Sequence, residues 1–469
     1  MANKTYDAIV LGGGPGGYVC AIRLAQLKQK VLCVEKEEVG GVCLNWGCVP
    51  SKAIIATSHT FEKVKAGAGF GLLVDNPRID AGKLQDWKDG IVKKLTGGVK
   101  TLFRGNGVDL VYGEGRVTGP RTVTVKTREG AVEVIEATKA IVVATGSSTI
   151  EIPPFKFDGK TIVGAKQAVS LREIPKRLLV IGGGIIGMEL GGAYQRMGSE
   201  LTVVEMLPTL LTGVDPDVTA VVERAYTKHG ARILKNTKAL GNEPQKDGSI
   251  AVRLETDGKA ETVVVDVVIV AVGMRPNGAG IGLEELGVKV ERGFVPADST
   301  GRTNVPGIYA IGDCSSMPML AHKAMKEGEV IAEVIAGHKA AKDWVGIPAA
   351  IFTDPEIATV GLSEQQAKEK GLEVRIGKFP FAALGRAMAV NETDGFIKIV
   401  GDKTTHEVLG VHIVGPSATD LISEGALALE MHAFLEDIGL TMHPHPTLGE
   451  GMMEASLAAL GQAVHIMNR

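Results

Sequence analysis

The chain has 469 residues with 51 basic and 54 acidic side chains, a formal net charge of −3, and 45% hydrophobic against 22% charged residues. That length suits about three domains of roughly 150 residues each, and the apolar share can fill their cores. A near-neutral balance argues against a nucleic-acid binder, which needs a basic face, and five cysteines are too few for a disulfide framework. Glycine is in excess, 61 residues or about 13% against a usual share of about 7%. The glycines cluster after short apolar runs, as in loops that meet a ligand with their backbone.

The start, residues 1–7, moves straight into a strand pattern. It has neither the apolar stretch of a signal peptide nor an Arg-rich leader, so a cytoplasmic protein is expected. Residues 7–11 then lead into Gly12-Gly13-Gly14-Pro15-Gly16-Gly17, a helical pattern up to Leu27, and a second strand at 31–35. The same order returns further on: a strand at 178–181, Gly182-Gly183-Gly184-Ile185-Ile186-Gly187, a helix to Met197, and a strand at 201–205. Each copy carries GxGxxG and a glutamate, Glu35 or Glu205, 18 residues past the last glycine, and the copies lie 170 residues apart. This is a duplicated βαβ dinucleotide unit. Gly12 and Gly182 permit the tight turn, Gly14 and Gly184 admit a pyrophosphate close to the backbone, and Gly17 and Gly187 let the helix pack on the strand. The helix N-terminus then faces the phosphates, and the glutamate accepts from ribose hydroxyls. The apolar run 178–188 is broken by glycines and falls short of the ~18 residues of a membrane span.

Between the copies, Gly41-Val42-Cys43-Leu44-Asn45-Trp46-Gly47-Cys48-Val49-Pro50-Ser51-Lys52 holds two cysteines five positions apart. A structural zinc needs four ligands, and the nearest histidine is His59. On one continuous helix the pair could bridge with local distortion. A redox disulfide beside a bound dinucleotide fits best, with buried unpaired thiols as the alternative. Runs at 140–146 and 267–273 read as buried closing strands of the two units, while 396–400 and 408–414 read as an antiparallel hairpin followed by a helix over 418–431.

The cysteine segment resembles the redox signature of the flavoprotein disulfide reductases, and its Ser51-Lys52 ending resembles the branch that oxidises dihydrolipoyl groups. The likeness extends through Thr303-Asn304-Val305-Pro306-Gly307-Ile308-Tyr309-Ala310-Ile311-Gly312-Asp313, the helix start Leu320-Ala321-His322-Lys323-Ala324, and His443-Pro444-His445-Pro446-Thr447-Leu448-Gly449-Glu450. Val42, Pro444 and Gly449 depart from the usual Thr, Ala and Ser, and none removes a reacting group.

The resemblance implies an α/β fold: two Rossmann-like domains for FAD and NAD, and a C-terminal α+β dimerisation domain. The expected division is 1–150 (FAD, first part), 151–278 (NAD), 279–348 (FAD, second part) and 349–469 (dimerisation). It implies that Cys43 takes the substrate thiol, that Cys48 faces the flavin as a thiolate, and that His445, oriented by Glu450, is the base. Lys52 stands by the flavin ring, paired with Glu189. The FAD site adds Gly12, Gly14, Gly17, Glu35, Lys36, Gly115, Thr145, Gly146, Ser147, Asp313, Met319, Leu320, Ala321 and His322. The NAD site comprises Gly182, Gly184, Gly187, Glu189, Glu205 and Gly273, and no metal is expected.

The implied partners are a second copy of the chain, with His445 and Glu450 serving the other subunit's site, and the lipoyl domains of a 2-oxoacid dehydrogenase acyltransferase or a glycine-cleavage H protein. Glu205, followed by Met206-Leu207-Pro208 with no cation, favours NAD over NADP. Glutathione reductase, whose signature ends in Lys-Lys, therefore fits poorly, and no cysteine follows Cys314 as mercuric reductase would require. The rival from another class is an inert flavin-bearing assembly subunit. His443 is either a second functional histidine or a structural partner. His229, His338, His406 and His465 read as solvated loop residues, and Cys20, Cys33 and Cys314 as structural.

Overall fold

Strands buried on both faces need helices on both sides, which favours parallel pairing. The computed structural model, which describes residues 4–468, has two such sheets. Residues 1–3 and 469, at the outer ends of the first and last expected units, lie outside the described residues. In the first sheet the parallel order is Asp109–Gly119, Val31–Glu35, Lys4–Leu11, Val132–Val143 and Ile308–Ala310. In the second it is Arg232–Leu234, Glu200–Val204, Arg177–Ile181, Val267–Val270 and Ile162–Val163. The strand that carries each glycine turn sits in the middle of its sheet, so both turns open at the C-terminal ends of the strands, where ligands bind in open α/β sheets.

The turns are glycine for a geometric reason. Gly12 has φ +104° and Gly182 φ +108°, and a Cβ there would meet the carbonyl oxygens of Ala144 at 2.3 Å and Ala271 at 2.4 Å. At the third glycine, a Cβ on Gly17 or Gly187 would sit 1.8 or 2.1 Å from the oxygen of Gly12 or Gly182. The helices Pro15–Gln26 and Ile185–Arg196 can approach their strands only because those side chains are absent.

Two features depart from the sequence reading. The cysteines do not share one helix: Gly41–Asn45 and Cys48–Ala66 are separate, broken at Trp46 and Gly47. Gly47 donates to the Val42 carbonyl at 2.6 Å, and a Cβ on it would meet that oxygen and the Val42 side chain at 2.9 Å. The chain folds back at this point, so Cys48 starts a new helix. Each parallel sheet also carries an antiparallel arm that was not foreseen. Asp109–Gly119 continues into Thr122–Thr127 and the start of Val132–Val143, while Thr237–Pro244, Ile250–Thr256 and Lys259–Val265 form a three-stranded sheet.

The expected C-terminal hairpin is present as Phe396–Asp402 against Val408–Gly415, within a five-stranded antiparallel sheet that also holds Ala349–Ile351, Glu356–Gly361 and Val374–Pro380. The helix Ala418–Glu430 follows, as expected. Among the described residues no helix is long and apolar enough to cross a membrane.

One core joins the parts. Ile54 and Ile55 of the Cys48–Ala66 helix, Met188 and Tyr194 of the second glycine-turn helix, and Ile351, Phe396 and Val414 of the C-terminal sheet belong to a single buried cluster. A buried cation reinforces the junction: Lys398 Nζ, in the C-terminal sheet, lies 2.7 Å from Asp215 and 2.9 Å from Asp217 at the start of the helix Pro216–Lys228. Burial works to raise both carboxyls, but the Lys398 ammonium outweighs it and holds them below the ordinary range.

A carboxyl depressed in the folded state adds stability above its unfolded pKa and loses it as pH falls through the folded value. Lys398→Met strands the buried Asp215 carboxylate, while Asp217 keeps Lys378 at 3.0 Å; breaking a buried pair costs about 3–5 kcal/mol. Its melting temperature should fall by several degrees at neutral pH, and the gap to the parent should close below about pH 4, where these carboxyls take protons. A gap independent of pH, measured by calorimetry, would show that the charges are irrelevant there.

Candidate active site

Both glycine turns open into one cavity of about 2590 Å³, well above the ~300–1,000 Å³ of a single drug-sized site. Two dinucleotides fit the cradle. A Cβ on Gly14 would find its nearest neighbour 3.8 Å away, and one on Gly184 would find nothing within 4 Å. Room is therefore left where a pyrophosphate must come close.

The duplication extends to side-chain geometry. Glu35 accepts from the N–H of Gly13 and of Glu37, each at 2.6 Å. Glu205 accepts from Gly183 and Leu207, each at 2.7 Å. Each carboxylate is thus fixed at its strand end by two backbone donors, with lone pairs left for a ribose. Burial pushes Glu35 above the usual carboxylate range.

The other expected contacts line the same cavity. Lys36 is there, 2.8 Å from Glu114, as are Gly115, Thr145, Gly146 and Gly273. Ser147 donates to Asp313 at 2.6 Å, and burial pushes that aspartate up. Met319, Leu320, Ala321 and His322 form the wall at the start of the helix Ala321–Ala336, and His322 bonds the Pro348 carbonyl at 2.7 Å. Gly17 and Gly187 stand back from the cavity, behind the turns they close.

Cys43 and Cys48 line the same cavity. They are unbridged, Cys43 buried and Cys48 half-buried. The neighbouring Cys43 thiol and the Lys52 charge hold Cys48 below its ordinary range against burial, and the proximity of Cys48 together with burial pushes Cys43 up. Cys48 also opens the helix Cys48–Ala66, where free N–H groups and the dipole favour a thiolate. One turn along, Lys52 Nζ donates to Glu189 at 2.7 Å and lies 4.4 Å from the centre of the Phe352 ring. Glu189 is only 4% exposed, and its second oxygen accepts from the Phe352 N–H at 2.8 Å. Phe352 escaped the sequence reading, because a lone aromatic far along the chain gives no local signal.

His445 and Glu450 are elsewhere. His445 Nδ1 is 2.8 Å from Glu450 Oε1, and Glu450 Oε2 accepts from the Thr447 N–H at 2.9 Å. Burial works upward on Glu450, but Thr447 and the His445 ring hold it below the ordinary range. The imidazole is 77% exposed and does not line the cavity of its own chain. His443 is a structural partner: its buried ring spends Nδ1 on the Thr441 carbonyl and Nε2 on Glu424, both at 2.9 Å. His229, His338, His406 and His465 are not simply solvated, since each meets a glutamate. Cys20, Cys33 and Cys314 are buried, and burial pushes their thiols up.

Comparison with known proteins agrees with this layout. Residues 6–328 match the family described as pyridine nucleotide-disulphide oxidoreductase, and residues 347–456 match the dimerisation domain of the same family. A dihydrolipoyl dehydrogenase of Thermus scotoductus is 48% identical over 99% of this chain and all of its own length. The Geobacillus stearothermophilus enzyme is 48% identical over 99% of this chain and 98% of its own, and the mitochondrial enzyme of Sus scrofa 45% identical over 98% and 92%. Among solved structures, LpdA of Mycobacterium tuberculosis superposes with a TM-score of 0.89 at 27% identity, covering 97% of this chain and 99% of that one.

The electrostatics of Cys48 can be tested directly. Lys52→Met removes a cation that favours its thiolate and leaves Glu189, whose charge opposes it. The pH profile of Cys48 alkylation in the reduced protein, read by peptide mapping, should move to higher pH. An unmoved profile would mean that the helix N-terminus and Cys43 alone set the thiolate.

Proposed function

The chain belongs to the pyridine nucleotide-disulphide oxidoreductase family, and we propose that it works in the manner of its dihydrolipoyl dehydrogenase relatives, oxidising dihydrolipoyl groups with FAD and NAD⁺. One observation carries the reading: Cys43 and Cys48, the second at a helix start one turn from Lys52, line a single cavity that both dinucleotide turns enter. In this reading residues 1–150 and 279–348 form the FAD domain, 151–278 the NAD domain and 349–469 the dimerisation domain.

The residues divide the labour as follows. One substrate thiol loses its proton to His445 at Nε2, since Nδ1 is held by Glu450. The resulting thiolate attacks Cys43, the sulfur–sulfur bond between Cys43 and Cys48 breaks, and Cys48 departs as a thiolate stabilised by its helix N-terminus and by Lys52. The second substrate thiol displaces Cys43, which closes the lipoyl disulfide and leaves both cysteines reduced. Bound FAD supplies the two-electron chemistry that returns the pair to a disulfide and passes hydride to NAD⁺. Glycine turns, Glu35 and Asp313 would hold FAD, and Gly184 and Glu205 would hold NAD, with Glu205 disfavouring a 2′-phosphate.

His445 lies outside the cavity of its own chain, and the C-terminal part matches a dimerisation domain. Both facts support a two-fold homodimer in which each site takes His445 and Glu450 from the other subunit. The macromolecular substrate is then a lipoyl domain, on the acyltransferase of a 2-oxoacid dehydrogenase or on a glycine-cleavage H protein. We place the enzyme in the cytoplasm, where thiols such as Cys20 and Cys314 stay reduced.

His445→Gln tests the proposal. Dithiol oxidation should fall by about 10²–10⁴-fold, the usual contribution of a general base, while NADH oxidation by a quinone should largely survive, because it needs no proton from a thiol. Hybrids of His445→Gln with Cys48→Ser chains should recover activity, each pairing one intact disulfide with one intact base. Equal loss of both reactions, or no recovery in mixtures shown to exchange subunits, contradicts the assignment.

A further inference from the structure

The helix Cys48–Ala66 meets the helix Ile185–Arg196 at two places. Near the cysteines the join is the ion pair of Lys52 with Glu189. At the far end, Arg196 takes over. Its side chain is only 3% exposed, and its Nε donates to Ser58 Oγ at 3.0 Å within the core. Ser58 is fully buried and its O–H donates to the Ile55 carbonyl at 2.7 Å, so the guanidinium is linked through it to the backbone of the redox helix.

Around it lie Glu62, 4.0 Å from Nε, and Asp354, 3.7 Å from Nη1. Lys65 Nζ donates to the Arg196 carbonyl at 3.4 Å. Burial and the Arg196 charge push His59, beside Asp354, below its ordinary range, so the arginine is the fixed positive charge of the group. Nη2 is buried without a hydrogen-bond partner among the described residues. A buried unmet donor carries a desolvation cost that an apolar side chain of similar size would avoid.

Both joins recruit the same stretch of the C-terminal part. The Phe352 N–H reaches Glu189 and the Asp354 carboxylate reaches Arg196, two residues apart. The redox helix is thereby held at its start and along its middle between the dinucleotide helix and residues 352–354. We propose that Arg196 is a positioning residue for the redox centre: through Ser58, Glu62 and Asp354 it sets the axial placement of the Cys48–Ala66 helix, and with it the placement of Cys48 and Lys52 against the flavin. This rests on the flavin-dependent reading of the cavity given above. An arginine is suited to the task because its planar guanidinium bonds Ser58 through Nε while its delocalised charge faces Asp354 and Glu62 at 3.7 and 4.0 Å, a spread that a lysine ammonium does not have.

The test uses the FAD-loaded enzyme, reduced anaerobically with dihydrolipoamide, with the long-wavelength band between the Cys48 thiolate and the flavin as the readout. Arg196→Met should weaken that band, shift its pH midpoint, and lower dithiol turnover by about ten- to a hundredfold, the penalty for displacing a reacting group by a fraction of an ångström or more. Arg196→Lys should recover much of the melting temperature but not the band. Ser58→Ala, which keeps the charge and the helix, should change the band in the same sense by less, and it decides the matter if Arg196→Met does not fold. A band and pH midpoint equal to the parent's in Arg196→Lys and Ser58→Ala, whatever their melting temperatures, overturn the positioning role. If the parent itself shows no band, the flavin–thiolate reading fails first and takes this proposal with it.

Discussion

A carboxylate 4% exposed survives only if it is paired and fully hydrogen-bonded, and the way Glu189 meets that demand organises the site. One oxygen takes the Lys52 ammonium from the redox helix, the other the Phe352 N–H from the C-terminal part, while Glu189 itself sits on the helix that opens at the second glycine turn. Three segments distant in sequence are tied at one side chain. Cys48 lies one helical turn from Lys52, so satisfying a buried charge also places the thiolate and a cation side by side.

Around that junction the dinucleotide sites repeat one solution to one problem. A ribose-binding carboxylate is useful only if it points in a fixed direction before the ligand arrives. In both copies the backbone N–H of the middle turn residue, Gly13 or Gly183, supplies the direction. The copies differ in what they face: the first opens on the cysteine pair and Asp313, the second on Met206 and Leu207, exposed and uncharged. The two cradles share one geometry, and they differ in their surroundings.

What could be read from the sequence was whatever local backbone geometry or reacting chemistry dictates. The glycines at 12, 17, 182 and 187 have no substitute because a Cβ would strike a carbonyl, and Cys43, Cys48, His445 and Glu450 stand in short motifs. The pairing of Lys52 with Glu189, expected only from the family resemblance, is present in the fold. What escaped depends on tertiary contact or weak local preference. The strand Thr237–Pro244 holds Gly241, Asn242 and Pro244, poor strand formers that its neighbours compensate. The break at Gly47 is closed by its N–H on the Val42 carbonyl, and the glycine itself is a stop signal that the spacing of the cysteines obscured. Ser58, Arg196 and Phe352 acquire meaning only when three segments meet, and His443 could be separated from His445 only by seeing both of its ring nitrogens engaged.

The central claim is that electrons pass from a dithiol through Cys43 and Cys48 to a nicotinamide held by Glu205. Anaerobic titration of the FAD-loaded protein with dihydrolipoamide, followed by addition of NAD⁺ or NADP⁺, tests it in one cuvette. The account predicts a long-wavelength band that grows with dithiol, is discharged by NAD⁺ with formation of NADH, and is left standing by NADP⁺. A flavin that dihydrolipoamide does not reduce, or a band that both nucleotides discharge equally well, would contradict it.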